Sequence, residues 1–387
     1  MLDFELSEEQ RILREQVRNF AEKEIAPLAK ELDEKEEFPV ALTKKMGEMG
    51  LFGMFVSEEY GGSHAGYVSY IIAVEEIARV DGSQAATVAA GNSLGIGPIY
   101  YFGNAQQKKE WLPRLCTGEI LASFGLTEPN AGSDASASKT TAVLDGNEWV
   151  INGSKIFITN SSSEMSGVCV VQAVTAKRPD GRPELSCILV PNGTPGFKTV
   201  TMHKKLMWRS SNTGELYFED CRVPKENLLG QRGDGFKQMM MTLDGGRLSI
   251  GAMGLGGAQG AFEAALRYSQ ERVQFGKPIG NFQVNSYKLA DAAVRLEAAR
   301  LLLYKAAWLR ENNKPYGPVA AMAKLYCSEI FRDIAYDAVQ LHGGYGLMKE
   351  YDVEKFFRDQ RLLEIGEGTS EIQRLVIARN LGLNPIF

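Results

Sequence analysis

The chain has 387 residues, with 43 basic and 48 acidic side chains and a net charge of −5. That length predicts two or three domains with cores large enough to need no staples, and the mild acidity excludes the basic footprint of nonspecific nucleic-acid binding. At 44% hydrophobic residues no apolar run approaches the ~20 residues of a membrane span, and the acidic, amphipathic opening MLDFELSEEQ reads as neither a signal nor a transit peptide.

The first ~120 residues read as helical. Ser7 and Gln10 are spaced as a capping box, and Leu13, Val17, Phe20, Ile25 and Leu28 follow at helical intervals. Pro27 is expected to bend or end that helix. Phe38-Pro39 opens another helix to about Gly50, Glu58 to Gly62 is a loop, and helical patterns resume over 66–80, 86–103 and 105–115.

From about residue 121 the texture changes. Within Glu148–Thr159 two short alternating runs flank Asn152-Gly153, which predicts a hairpin. Val168–Thr175, Ser186–Val190 and Glu215–Glu219 are further strand-like runs between turn-rich stretches. Several short strands without helices between them predict an antiparallel β-domain. After Gly235 longer helices return. Leu289, Ala292, Leu296, Ala299, Leu303 and Ala306 form one apolar stripe, and further helices fit 315–342 and 369–380. Gly251, Gly254, Gly257 and Gly260 lie in an otherwise helical segment. Each costs about 1 kcal/mol against Ala, so close helix contact or ligand approach must compensate. The reading is an α+β chain in three units: helices over 1–120, a β-domain over 121–232 and helices over 233–387.

Three dispersed histidines (His64, His203, His342) and five scattered cysteines (Cys116, Cys169, Cys187, Cys221, Cys327) without a CxxC leave no disulfide framework and no metal site. The thiols read as inert groups in a reducing cytoplasm. Any difficult chemistry therefore falls to carboxylates or to a borrowed cofactor.

Five blocks, in order, resemble the acyl-CoA dehydrogenase family over essentially the whole chain: Phe124-Gly-Leu-Thr-Glu-Pro-Asn-Ala-Gly-Ser-Asp134, Gly153-Ser-Lys-Ile-Phe-Ile-Thr-Asn160, Glu271-Arg-Val-Gln-Phe-Gly-Lys-Pro278, Gln340-Leu-His-Gly-Gly-Tyr-Gly346 and Glu367-Gly-Thr-Ser-Glu-Ile-Gln-Arg374. The resemblance implies an N-terminal helical domain, a central β-domain and a C-terminal four-helix bundle. It also implies an FAD enzyme that oxidises an acyl-CoA thioester between Cα and Cβ, passes electrons to an electron-transferring flavoprotein and assembles as a homotetramer. Flavin N5 would take the β-hydride, which no side chain does. The α-proton needs a carboxylate whose pKa rises when substrate displaces water, and Glu367 stands in that position. The bland alternative is an acidic residue stabilised by the dipole of the helix beginning at Thr369. Some relatives carry the base on the helix bearing Asp244-Gly-Gly-Arg247; the matching residue here is Gly246, so Glu367 has no competitor.

The remaining assignments also rest on the resemblance. The Glu367 N–H and a flavin hydroxyl would polarise the thioester carbonyl. Phe124, Leu126, Thr127, Phe157 and Thr159 match flavin-lining positions, with β-domain core as the alternative. Ser133 matches a contact near the CoA pantetheine or phosphates and joins both the cofactor and the substrate sets, with a turn or helix cap as the alternative. Arg272, Gln274 and Phe275 match a loop that holds the FAD pyrophosphate and adenine of a neighbouring subunit, completed by Gln340, Gly343 and Gly344; an exposed, solvated loop is the alternative. Thr369 joins the cofactor set. Asp244 and Arg247 match CoA contacts, or form a helix-face ion pair. Gly366 and Gly368 flank the base on the substrate side. Many straight-chain relatives have Tyr where Gly366 stands, so a cavity widened for branched or cyclic acyl groups is expected, unless another side chain fills it. Gly91, Ser93, Gly95 and Gly97 add small residues at the expected end of the pocket. The basic stretch His203-Lys-Lys-Leu-Met-Trp-Arg209 departs from the family's Lys-Leu-Gly-Met-Arg pattern and reads as a solvated loop. Acyl-CoA oxidases usually carry a further C-terminal domain beyond the position of Phe387. A decarboxylating enzyme needs an Arg that Gly82–Gly91 does not offer, and a non-catalytic flavin-binding relative would show a basic tail or a lost base.

Overall fold

The computed structural model describes residues 5–385; Met1–Phe4 of the acidic opening and Phe387 lie outside the described residues. The Ser7–Gln10 capping box is formed, with Gln10 N donating to Ser7 Oγ at 3.2 Å and Ser7 N to Gln10 Oε1 at 3.1 Å. It starts α1 (Glu8–Phe20), which runs through a wide π-helical turn, Ala21–Ile25, into α2 (Ala26–Lys35). Pro27 neither ends nor breaks this rod. It occupies the first turn of α2, and the wide turn before it absorbs the missing N–H. There follow α3 (Val40–Glu48), α4 (Gly66–Ala78), α5 (Gly82–Ala90), a second π-helical turn over Gly91–Ile96, α6 (Gly97–Phe102) and α7 (Ala105–Cys116).

The β-region comprises β1 (Leu121–Gly125), β2 (Thr141–Asp145), β3 (Glu148–Thr159), β4 (Ser166–Lys177), β5 (Pro183–Pro191), β6 (Phe197–Thr201), β7 (Thr213–Pro224) and β8 (Leu228–Leu229). The sheet order is β6-β7-β3-β2-β4-β5-β8, with β1 against β4. Most pairs are antiparallel as expected. The exceptions are β1, which runs parallel to β4, and the parallel contact of β2 with β4 at Thr141/Val174. The chain returns to the starting end of the sheet through the 126–140 loop and again through β3. The expected hairpin at Asn152-Gly153 is also corrected. Glu148–Thr159 is one continuous strand, and the tight turn lies at Gly146-Asn147, where Asp145 pairs with Glu148. Gly153 instead marks a register shift in the β3–β7 ladder, and Asn152 hydrogen-bonds across to Asp220.

Period-two alternation divides the strands between two cores. Val168 and Val170 of β4 face a core shared with both helical regions, whereas Cys169, Val171 and Ala173 face a second core inside the β-region with Trp149 and Phe218. The C-terminal helices are α8 (Gly235–Glu271), α9 (Gln283–Glu311), α10 (Gly317–His342), α11 (Val353–Asp359) and α12 (Ser370–Asn380), with a two-residue ribbon, β9 (Val273–Gln274) and β10 (Lys277–Pro278), after α8. The glycines of α8 serve helix contact. A Cβ on Gly254 would come within 2.9 Å of the Cys327 backbone in α10, and one on Gly260 within 2.1 Å of Arg79 O just beyond α4. The small residues before α6 behave similarly. A Cβ on Gly91 would meet the Phe52 ring at 2.7 Å and one on Gly95 the Ala122 carbonyl at 2.7 Å, so these two glycines admit neighbouring protein.

Candidate functional site

Glu367 stands in a short turn between the 3₁₀ segment Gln360–Glu364 and α12. Both Glu367 (φ 52°) and Gly368 (φ 92°) are left-handed, a conformation that a glutamate adopts only when its surroundings impose it. Gln373 of α12 imposes part of it, its Nε2 donating to Glu367 O at 3.2 Å and Gly368 O at 2.9 Å. The Lys324 ammonium of α10 donates to Gly368 O at 2.7 Å. Thr369 caps α12 by accepting the Ile372 N–H at 3.3 Å.

The Glu367 side chain points at α8. A Cβ built on Gly246 would lie 1.8 Å from Glu367 Oε2, so only glycine leaves room for the carboxyl. That oxygen is buried and has no hydrogen-bond partner among the described residues. Burial pushes the Glu367 carboxyl up to about 7, against the downward pull of Lys324 and Arg247. Nearby, Arg247 pairs with Asp244, whose carboxyl burial shifts upward; the helix-face ion pair considered from the sequence is thus present. Arg247 Nε is itself buried without a partner. Tyr70 and Ser93 both donate to Ala89 O, at 2.8 and 2.7 Å, and Ser249 donates to Gly246 O at 2.8 Å, giving the cluster a hydroxyl-lined side. At Gly366 the atoms nearest an added Cβ would be those of Leu362, at 3.5 Å or more. Packing does not require glycine there.

A second group lies where β1 and β3 meet. Phe124 and Leu126 are buried, Thr127 and Thr159 are half-buried and Ser133 is exposed in the following loop. Phe157 is 63% exposed at φ 61°, beside a register shift between Lys155 and Ile158. A ring exposed to this extent is not part of the β-domain core. Behind it the Lys155 ammonium is fully buried and donates to Leu126 O (3.1 Å), Glu128 Oε1 (2.8 Å) and Ser138 Oγ (3.1 Å). Burial alone would raise the Glu128 carboxyl, but Lys155, Ser138 and the Lys139 N–H hold it down at about 2.

The third group sits at the far end of α8. Arg272, Gln274 and Phe275 are exposed, Phe275 by 94% and at φ 51°. The Arg272 guanidinium lies 5.5 Å from the Tyr345 ring centroid, adjoining Gly343 and Gly344, whose Cβ directions are open for at least 4 Å. Gln340 is exposed on the same side. This group is 26 helical residues along α8 from Gly246, about 39 Å at 1.5 Å per residue.

Sequence reasoning passed over Lys324, Gln373, Tyr70, Ser249 and the Lys155–Glu128 pair. Lys155 and Glu128 lie inside the quoted blocks. The only sequence signal for Lys324 is its place on the apolar face of α10, among Ala320, Ala321, Ala323 and Cys327, all buried. The basic stretch is less solvated than expected: Lys205 Nζ donates to Ser211 O and Thr213 Oγ1, and Trp208 is buried with its N–H on Asp359 Oδ1 at 3.0 Å. A surface cavity of about 280 Å³ beside His203 and Arg209 contains none of the sequence-derived site residues. No metal-holding cluster and no helix long and apolar enough to cross a membrane occur among the described residues.

Models for the N-terminal, middle and C-terminal domains of acyl-CoA dehydrogenases match residues 7–119, 123–221 and 233–382. The chain is 46% identical over 377 residues to the short-chain specific acyl-CoA dehydrogenase of Clostridium acetobutylicum, covering 97% of this chain and 99% of that one. Among solved structures it is similar to butyryl-CoA dehydrogenase from Megasphaera elsdenii (41% identity, TM-score 0.95, 99% and 100% of the two chains). It is also similar to a glutaryl-CoA dehydrogenase from Mycobacterium smegmatis in complex with FADH2 (31% identity, TM-score 0.93, 99% and 96%).

Proposed function

The chain belongs to the acyl-CoA dehydrogenase family, and we propose that it uses FAD to convert a short-chain acyl-CoA to the 2-enoyl-CoA, with Glu367 as the base that removes the α-proton. The observation that carries this reading is the Glu367 carboxyl: buried, unpartnered at Oε2 and raised to about 7. A general base is most effective with a pKa near the working pH, and a structural carboxylate would be paired. The ionised Glu367 takes the proton from Cα, and the neighbouring cations Lys324 and Arg247 favour its charged form. When bound, FAD supplies the hydride acceptor that no side chain offers. The exposed Phe157 ring and the backbone edge at Leu126 and Thr127 fit the flat ring system, with Phe124, Thr159, Ser133 and Thr369 around it. Arg272, Gln274, Phe275, Gln340, Gly343 and Gly344 fit the pyrophosphate and adenine, a guanidinium suiting phosphate by its paired donors. Arg272 lies about 39 Å along α8 from the Gly246 contact of Glu367, so this group would serve the cofactor of a second subunit. Tyr287, Val294, Leu301 and Trp308, exposed at seven-residue steps along α9, support assembly, for which a homotetramer is our reading. Asp244, Arg247 and Gly368 would line the CoA thioester path. Electron-transferring flavoprotein is the proposed acceptor, and five buried, unpaired cysteines support a reducing, cytoplasmic setting.

The similarity to short-chain and butyryl-CoA enzymes supports a short acyl group. Because the atoms nearest a Cβ at Gly366, those of Leu362, stand 3.5 Å away or more, tolerance of a branched or cyclic acyl group beside Cα is part of the proposal. The test is anaerobic bleaching of the flavin by butyryl-, isobutyryl- and cyclohexanecarbonyl-CoA. The wild type should bleach with all three, and Glu367→Gln should retain flavin with bleaching slowed by at least ~100-fold. Undiminished bleaching of that variant would overturn the base assignment, and bleaching by butyryl-CoA alone would overturn the widened pocket.

A further inference from the structure

The turn that carries Glu367 is held from one face of α10. Lys324 and Ser328 are four residues apart, so they project together. Lys324 Nζ donates to Gly368 O at 2.7 Å, and Ser328 Oγ lies 3.0 Å from Leu363 O at the other end of the segment. Both side chains are completely buried. The Ser328 hydroxyl is also 2.7 Å from Lys324 O, the ordinary acceptor of a helical serine. Lys324 has no such bland duty. An ammonium with no exposed surface is costly unless it meets a carboxylate, yet its hydrogen-bond partner is a neutral carbonyl one residue from Glu367. The carboxylates that act on it electrostatically are Glu367, Glu364 and Glu371, and Arg247 of α8 opposes them. Glu364 is engaged by Arg332 and Arg361. Glu371 stands exposed in the first turn of α12. The Glu367 carboxyl is faced by Lys324 from α10, by Arg247 from α8 and by Tyr70 from α4.

We propose that Lys324 is a positioning residue for the base: its ammonium pins the Gly368 carbonyl, fixing the left-handed Glu367–Gly368 turn, and its charge favours ionised Glu367 once substrate has excluded water. This rests on Glu367 being the base. Gln373 holds the Gly368 carbonyl and that of Glu367 from α12, so the turn has a second anchor that carries no charge. Burial lowers the Lys324 ammonium itself to about 8, against the pull of Glu367. The assistance is therefore greatest near neutrality and fades as Lys324 deprotonates in alkali.

The experiment isolates proton removal from oxidation. Methoxyacetyl-CoA has acidic α-hydrogens and the size of a butyryl thioester, but its β atom is oxygen and carries no hydrogen. Incubated with the FAD-loaded enzyme in D2O, it reports base action as α-deuterium uptake, read by mass spectrometry between pH 6 and 10. Glu367→Gln should lose at least ~100-fold in exchange. Lys324→Met should keep flavin content and thermal midpoint near those of the wild type. Its exchange at pH 7 should fall about tenfold, with the rising limb of the profile displaced upward by about one pH unit, since an opposing charge has been removed from Glu367. Lys324→Arg should restore most of the rate and the profile. Should Lys324→Met fail to fold, Lys324→Gln is judged by the same pH displacement. A folded, flavin-loaded Lys324→Met or Lys324→Gln with wild-type rate and profile overturns the proposal while leaving Glu367 as base. Wild-type exchange in Glu367→Gln overturns both.

Discussion

Two buried lysines, each beside a glutamate and each holding a backbone carbonyl, do opposite things in this molecule. Lys155 meets Glu128 directly at 2.8 Å, and that carboxylate is further satisfied by Ser138 and by the Lys139 and Thr140 N–H groups. Lys324 meets only the Gly368 carbonyl, and the carboxyl next along the chain keeps Oε2 without a partner. In the first case the charge of Lys155 and the hydrogen bonds together outweigh burial and Glu128 is held at about 2; in the second, burial dominates and Glu367 rises to about 7. The same pair of residue types keeps a carboxyl ionised where its lone pairs are filled, and leaves it holding its proton where Oε2 is buried without a partner. The first lysine holds the Leu126 carbonyl at the edge of the β-region, and the second holds the Gly368 carbonyl beside Glu367.

The largest effect should come from breaking the Lys155–Glu128 pair. Glu128→Ala strands the Lys155 ammonium in an apolar interior, and loss of one partner of a buried pair costs roughly 3–5 kcal/mol. Denaturant unfolding should show it, together with weakened FAD retention. The pH dependence of the two sites has opposite sign. Glu128, depressed in the folded state, adds stability above its ordinary pKa of 4.5 that disappears as pH falls toward 2. Glu367, raised in the folded state, adds stability below 4.5 that is lost as pH rises through 7. Glu367→Gln should therefore match the wild type in stability below pH 4.5 and exceed it by up to about 3 kcal/mol at pH 8, seen as a higher thermal midpoint there. A smaller effect is expected from Gly246→Ala. Its methyl would require Glu367 Oε2 to retreat from 1.8 Å. The rate of flavin reduction should fall by about 100-fold, equivalent to about 2.7 kcal/mol, with flavin still bound. Wild-type reduction by that variant would show that the carboxyl is free to work from another position.

Much of this was legible in the chain. The capping box at Ser7, the change of texture near residue 121 and the apolar stripe of α9 follow from local periodicity and backbone hydrogen bonding, which depend on near neighbours. The motif blocks pointed to Glu367, and its Gly366 and Gly368 neighbours marked a turn. Local signals misled where a distant partner intervened. Asn152-Gly153 has turn chemistry, but cross-strand bonds to Asp220 and the full length of β7 keep it in a strand. Gly91 and Gly95 look like open space, but Phe52 and Ala122 fill it.

The composition of the chain pointed away from thiols and imidazoles, and the order of its apolar patterns determined the sequence helices, sheet, helices. Only the tertiary structure decided how differently two of its carboxyls, Glu128 and Glu367, hold their protons. Both are flanked by turn-forming residues in the sequence, and although the motif blocks singled out Glu367, neither stretch shows by itself which carboxyl is paired. Their proton affinities diverge because β3 brings Glu128 a lysine at hydrogen-bond distance, while α8 and α10 enclose Glu367 without giving its Oε2 a hydrogen-bond partner among the described residues. The energy of a buried charge depends on everything packed around it, and those neighbours are assembled from positions far apart in the chain.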